Sequence, residues 1–274
     1  MNLSSQCHPI LNELPPYFPY LLDLLSDDFS TKVSLKCKKN AGPVAVTIET
    51  ERGEGGALSS KVGTKFSYAK FNVDKAQATA TGGQVLETSL KVADGVKLSF
   101  KANKGADLGV DYTSGNLYAT GVLDVAEMSK FSTTACFSLP SGMKVGGDGT
   151  YALSGKTGLT GLNIGASYAT GPLFASVTSS NKFSAVNLGL TYKVNDKVTL
   201  ASMTTHSGDK VCTVGGVGGS FKADFGTVKA KYADGGVLSA SLVKDVAPKV
   251  TVTASGSVSM SDFSTFKYGL GIVM

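Results

Sequence analysis

From Ser30 to Met274 the chain is an unbroken series of short segments in which apolar and polar residues alternate. "STKVSLKCKK" sets Val33, Leu35 and Cys37 against Lys32, Ser34, Lys36 and Lys38. "GVKLSFKAN" sets Val96, Leu98 and Phe100 against Lys97, Ser99 and Lys101. "SAVNLGLTYK" and "KVTVTASGSV" repeat the pattern, the second with Val250, Val252 and Ala254 against Lys249, Thr251, Thr253 and Ser255. Successive side chains of a strand point to opposite faces, so each segment reads as a strand with water on one side only. Between them lie "NAG", "ADG", "TSG", "HSGD" and "ADGG", the signals of tight hairpins. Strand and turn together recur about every 10–13 residues, with no helical pattern and no linker.

About nineteen strands are expected on this spacing, starting near residues 31, 43, 57, 70, 84, 95, 106, 116, 130, 143, 157, 172, 183, 197, 210, 223, 236, 248 and 264. An open meander of that size would leave two exposed edges. Closure removes them, and a barrel this wide cannot be filled by side chains, so it holds water. The apolar face then points outward, towards lipid. The fold expected is all-β, a transmembrane up-and-down barrel with a short helix in or near its lumen.

That helix comes from the first 29 residues, which differ in texture. "ILNELPPYFPYLLDLLSDDF" is rich in proline, and Leu21, Leu22, Leu24, Leu25 and Phe29 fall at near-helical spacing. A short amphipathic helix is expected over residues 17–27, either a cap on a core or a segment within the lumen. The chain is thus divided into an N-terminal segment, 1–29, and a barrel, 30–274.

Composition narrows the function. Charged residues make up 17% of the chain, below the roughly 25% of soluble domains. No run of about 18 apolar residues exists, so a transmembrane helix is excluded. Apolar residues spread thinly at alternate positions are how a membrane barrel is encoded. The net charge of +5 comes almost wholly from lysine, since Arg52 is the one arginine. Readers of nucleic-acid sequence lean on arginine forks, so nucleic acid is not expected as a partner. Cys7, Cys37, Cys136 and Cys212 show no CxxC spacing, and His8 and His206 have no partners at metal or triad spacing. "GGVGG" (215–219) lacks the Lys-Ser/Thr and helix of a phosphate-binding loop. Neither catalytic residues, metal nor cofactor are expected, and the chain is not read as an enzyme. The first residues show no basic, apolar and small-residue succession of a secretory leader, so a leader is expected to be either already removed or never present.

Three stretches resemble the mitochondrial porins, the voltage-dependent anion channels, with the likeness running over essentially the whole chain. "DGVKLSF" (94–100) is similar to the family's Gly-Leu-Lys motif, with Val96 in place of Leu; "TVKAKYADGGVLSASLVKDVAPK" (227–249) looks like its paired late strands; and "FKYGLGIVM" (266–274) looks like its closing strand. Nineteen strands is also the number the resemblance implies. It further implies a mitochondrial outer-membrane channel, weakly anion-selective and voltage-gated, passing small anions and metabolites including nucleotides. Lys267, Gly269, Ile272 and Met274 fit the family's sorting signal, which implies the outer-membrane sorting and assembly machinery as a partner, besides membrane lipid. Association with itself or with other outer-membrane proteins belongs to the same expectation. The resemblance implies a nucleotide contact at Gly95 and Lys97. The place of the membrane-facing glutamate that many animal members carry on the fourth strand falls near Gln77, so no lipid-facing carboxylate is expected there.

Alternation itself supplies the other sites. A charge on the lipid face would cost about 2–4 kcal/mol at mid-membrane. Lys32, Lys36, Lys97, Lys101, Lys229, Lys231 and Lys249 are therefore expected to line the pore, with Lys38 and Lys267 on the same faces. Singly, each would do no more than solvate a wet wall; as a group they favour anions. Leu21, Leu22, Leu24 and Leu25 form the apolar side of the expected gating helix. Two alternatives stand beside the channel: the barrel of the related protein-import pore of the same membrane, and a soluble or secreted β-repeat scaffold.

Overall fold

The computed structural model describes residues 24–274 apart from positions 54, 181 and 209. Nineteen strands make one closed sheet: β1 (Val33–Ala41), β2 (Val44–Arg52), β3 (Leu58–Tyr68), β4 (Phe71–Thr79), β5 (Gln84–Ala93), β6 (Val96–Ala102), β7 (Ala106–Ser114), β8 (Leu117–Asp124), β9 (Lys130–Ser138), β10 (Met143–Ala152), β11 (Gly158–Thr170), β12 (Leu173–Ser180), β13 (Ala185–Lys193), β14 (Val198–Ser207), β15 (Lys210–Ala223), β16 (Gly226–Ala233), β17 (Val237–Ala247), β18 (Val250–Ser259) and β19 (Asp262–Val273). Each pairs antiparallel with the next in sequence. The ring shuts with β1 beside β19, and an odd strand number makes that pair parallel. The seam is short. Four register pairs span Val33–Lys36 and Leu270–Val273. Its ladder includes Leu270 N–H to Lys32 O at 3.1 Å, Met274 N–H to Lys36 O at 2.9 Å and Lys38 N–H to Met274 O at 2.6 Å.

Turn chemistry sets where strands stop. Gly95 carries φ 75° between β5 and β6, and its carbonyl accepts from Thr113 N–H at 2.7 Å. A side chain there would run into the Thr113 carbonyl oxygen, so the position needs glycine twice over. Between β8 and β9, buried Asp124 accepts from the backbone N–H groups of Ala126 and Glu127 at 3.2 Å each and from the Ser129 hydroxyl, folding the loop onto the strand end.

The register carries the alternation around the ring. On the outside stand Val33, Leu35, Ile48, Val62, Leu90, Val110, Leu188, Leu200, Val217 and Tyr268, all exposed, a band too large for water and suited to lipid. Thr50 and Ser60 face outward among them and share a hydrogen bond of 3.1 Å, so one hydroxyl proton is answered without water. Lys39, Arg52 and Lys244 fall on the outer face near strand ends, where a charge costs only about 0–1 kcal/mol. The conventional apolar core is correspondingly small, a cluster of Leu24, Leu25 and Ala201 with Met203 against it.

Most of the expected helix, Leu21 and Leu22 included, lies outside the described residues. Its end is described: Leu24 and Leu25 are helical, a turn follows, and Asp28 stops it with φ 68°.

Candidate functional site: a lysine-lined lumen and its strap

Residues 24–30 lie as a strap on the inner wall of β14–β19. Ala201 on β14 pairs with Gly218 on β15, both pointing inward. Gly218 leaves room for a leucine: a side-chain carbon there would stand 2.8 Å from Leu25 Cδ2. Next round the wall, Lys231 on β16 donates to the Leu25 carbonyl at 2.7 Å and holds its ammonium 4.5 Å from the Phe29 ring centre. Lys229, two residues away on the same face, is 2.8 Å from an Asp28 carboxylate oxygen and only 8% exposed. At the strap's far end Ser255 on β18 donates its hydroxyl to the Ser30 carbonyl. That carbonyl rests directly on Gly269 of β19.

A second charged wall lies across β1–β3. Lys36, Glu49 and Lys61 are register partners in a row, with Glu49 bridging Lys36 at 3.2 Å and Lys61 at 2.9 Å. Lys32 and Lys61 also reach Glu51, at 3.4 and 4.0 Å. On β5–β6, Lys101 pairs with Glu87 at 3.3 Å. Lys97 is exposed, with register partners Lys91 and Asp111. Lys91 is itself drawn to Asp94 in the adjoining turn, 2.9 Å away, and that hydrogen bond and charge hold the Asp94 carboxyl below its ordinary range.

Inward charge is therefore unevenly spread. By register, β7–β10 carry Asp107, Asp111, Asp124 and Asp148 with Lys130 and Lys144. On β16–β19, Lys229, Lys231 and Lys267 stand with Asp245. Without the strap, water in the lumen would meet acidic wall on one side and basic wall on the other.

Of the lysines expected to line the pore, alternation places Lys32, Lys36, Lys97, Lys101, Lys229 and Lys231 on the inner face. Lys249 is a correction. It occupies the β17–β18 turn with φ 67°, because Pro248 before it has no N–H for the ladder and sets up a type II geometry. Gln77 also points inward: it pairs with Gly63 and lines the same hollow as Lys36, Glu49 and Lys61. Lys267 and Gly269 face the lumen, Ile272 faces lipid, and Met274 follows β19 and hydrogen-bonds the seam. Asp28, Glu49, Gly218 and Ser255 were not anticipated. Asp28 and Ser255 meet their partners across almost the whole chain, and no local pattern announces that.

Glu49→Gln removes the carboxylate shared by Lys36 and Lys61. A unit charge about 10 Å from an ion in water is worth about 0.4 kcal/mol, and about 0.15 kcal/mol after one Debye length of screening. The variant is expected to raise the anion-to-cation permeability ratio by about 1.7-fold, read as a shift of reversal potential in a salt gradient.

Comparison with curated protein sequences gives no match. Among solved structures, a five-substitution variant of the Rh. blastica porin superposes with TM-score 0.52 at 14% identity, covering 88% of this chain and 95% of that one. A three-substitution variant of the same porin gives TM-score 0.52 at 15% identity over the same shares. At such identity the likeness speaks for the fold alone. A closed barrel with an apolar exterior and a charged, wet interior makes a pore-forming membrane channel. The family model for eukaryotic porins matches residues 22–271, and the chain belongs to that family.

Proposed function

We propose that this protein is a diffusion channel of the mitochondrial outer membrane that prefers small anions, passes metabolites including nucleotides, and is gated by voltage. The observation that carries the reading is the inner wall, where lysines from β1 and β6 face one water-filled lumen. Family membership supports the location and the permeant class. Residues 1–29 act as the gating segment and 30–274 as the pore. Leu21, Leu22, Leu24 and Leu25 form the segment's apolar side. Gly95 and Lys97 make a phosphate contact for passing nucleotides, Gly95 by fixing the turn and Lys97 by its exposed ammonium. Lys267, Gly269, Ile272 and Met274 serve as the address read by the sorting and assembly machinery. Association with itself or with neighbouring outer-membrane proteins completes the proposal.

Reconstitution in planar bilayers tests it. A large conductance is expected, with a reversal potential on the anion side in a potassium chloride gradient and a decline at high voltage of either sign. A pore that preferred potassium, or one indifferent to voltage, would overturn the respective part of the reading.

A further inference from the structure

The strap covers two of the lysines expected to line the pore. Lys229 is buried, its ammonium 2.8 Å from the Asp28 carboxylate. Lys231 is half-buried, donating to the Leu25 carbonyl and lying against the Phe29 ring. Half-way round the ring, Lys97 and Lys101 on β6 are exposed. An ammonium in contact with a carboxylate is a dipole, and its field fades much faster with distance than that of a lone charge. Covering the pair with Leu24, Leu25 and Phe29 also keeps passing ions at arm's length.

We propose that the Leu24–Ser30 strap determines ion selectivity by masking Lys229 and Lys231, with Asp28 as the specificity-determining residue. While the strap is down, the pore draws its preference from the lysines of β1–β6. When it lifts, two further positive charges face the lumen and the preference for anions rises. Geometry makes the mask exchangeable. Lys231 is tied to a backbone carbonyl and a ring face, Lys229 is paired with the Asp28 carboxylate of the strap, and Gly218 offers Leu25 a flat seat without an interlocking side chain. The inference rests on the channel reading for its consequence, although not for the masking itself.

Two measurements on the full-length protein test it. Reversal potentials of Lys229→Gln, Asp28→Asn, the double variant and Lys97→Gln form the first. Asp28→Asn is expected to raise the anion-to-cation ratio about 1.7-fold, since it removes the negative charge of the pair, and Lys229→Gln to lower it by a similar factor, since it removes the positive one. The double variant, which removes both charges of the pair, should keep the parent's ratio, whereas Lys97→Gln lowers it about 1.7-fold. If the double variant departs from the parent as far as Lys97→Gln does, or Asp28→Asn leaves the ratio where it was, the mask does not exist. The second measurement is lysine acetylation in micelles, read by mass spectrometry, which needs no conductance. Lys229 is expected to react about tenfold more slowly than Lys97 and to approach its rate in Asp28→Asn. Equal rates in the unaltered protein overturn the proposal even if the channel reading stands. Protection without any conductance would instead keep the mask and remove the channel.

Discussion

Gly269→Ala is expected to cost the barrel about 3 kcal/mol or more and to leave much of the purified protein unfolded in detergent. The reason lies inside the lumen. Where the strap joins the wall, the Ser30 carbonyl lies on the α-carbon of Gly269, and a methyl group there would collide with that oxygen and stand 2.8 Å from Ser255 Oγ. Neither neighbour can swing away cheaply. One is backbone leading into β1, and the other is the hydroxyl that donates to that same carbonyl. Displacing Ser30 pulls on Lys32 and the four-pair parallel seam, the shortest joint in the ring. Against a total stability of about 5–15 kcal/mol, such a loss is large. Gly271, on the same strand and the same face, is the control. A side-chain carbon there would sit 3.4 Å from Ser34 Oγ and 3.7 Å from Thr253 Cβ, ordinary contacts, so Gly271→Ala should refold nearly as the parent does. Refolding yield by heat-modifiable mobility and the urea midpoint measure both variants without cellular machinery. Should Gly269→Ala refold normally in vitro yet fail to insert into isolated mitochondria, the glycine would be an address and not a seat for the strap.

That contrast marks the limit of what alternation can reveal. The barrel is legible because each strand repeats one decision, polar in and apolar out, and glycine turns punctuate it. The start of β9 at Lys130 and of β10 at Met143 follow from that alone. β16 starts at Gly226 rather than near 223, because β15 runs on through the weakly patterned "GGVGGSFKA" before turning at Asp224 and Phe225. The inward sense of Lys97 or Lys229 is read by the same rule. What meets them there is not. Lys231 finds its carbonyl partner 206 positions away and Ser255 finds Ser30 225 positions away, distances over which periodicity carries no information. Lys249 failed for a local reason, a Pro-Lys turn that continues the lysine spacing of a strand without belonging to one.

Reversing the charge of Lys97 and Lys101 together is expected to turn the pore from anion to cation preference. The two lysines face the lumen from one short strand, opposite Asp111 and Asp107 on β7 and Lys91 and Glu87 on β5. Glutamate at both positions changes four units of charge. At about 0.15 kcal/mol per screened unit the local free energy of a passing ion moves by about 0.6 kcal/mol. That is roughly threefold for each ion, in opposite directions, and roughly sevenfold in the permeability ratio. Without its 3.3 Å pairing to Lys101, Glu87 joins a continuous acidic patch with positions 101, 107 and 124. The fold should tolerate the change, since both side chains end in water and neither is part of the strap or the seam. High salt is the internal check. Surface fields shrink as the Debye length falls to about 3 Å near 1 M, so the difference between variant and parent should collapse there. If the reversal potential stays on the anion side at low salt, the selectivity of this lumen does not come from β6.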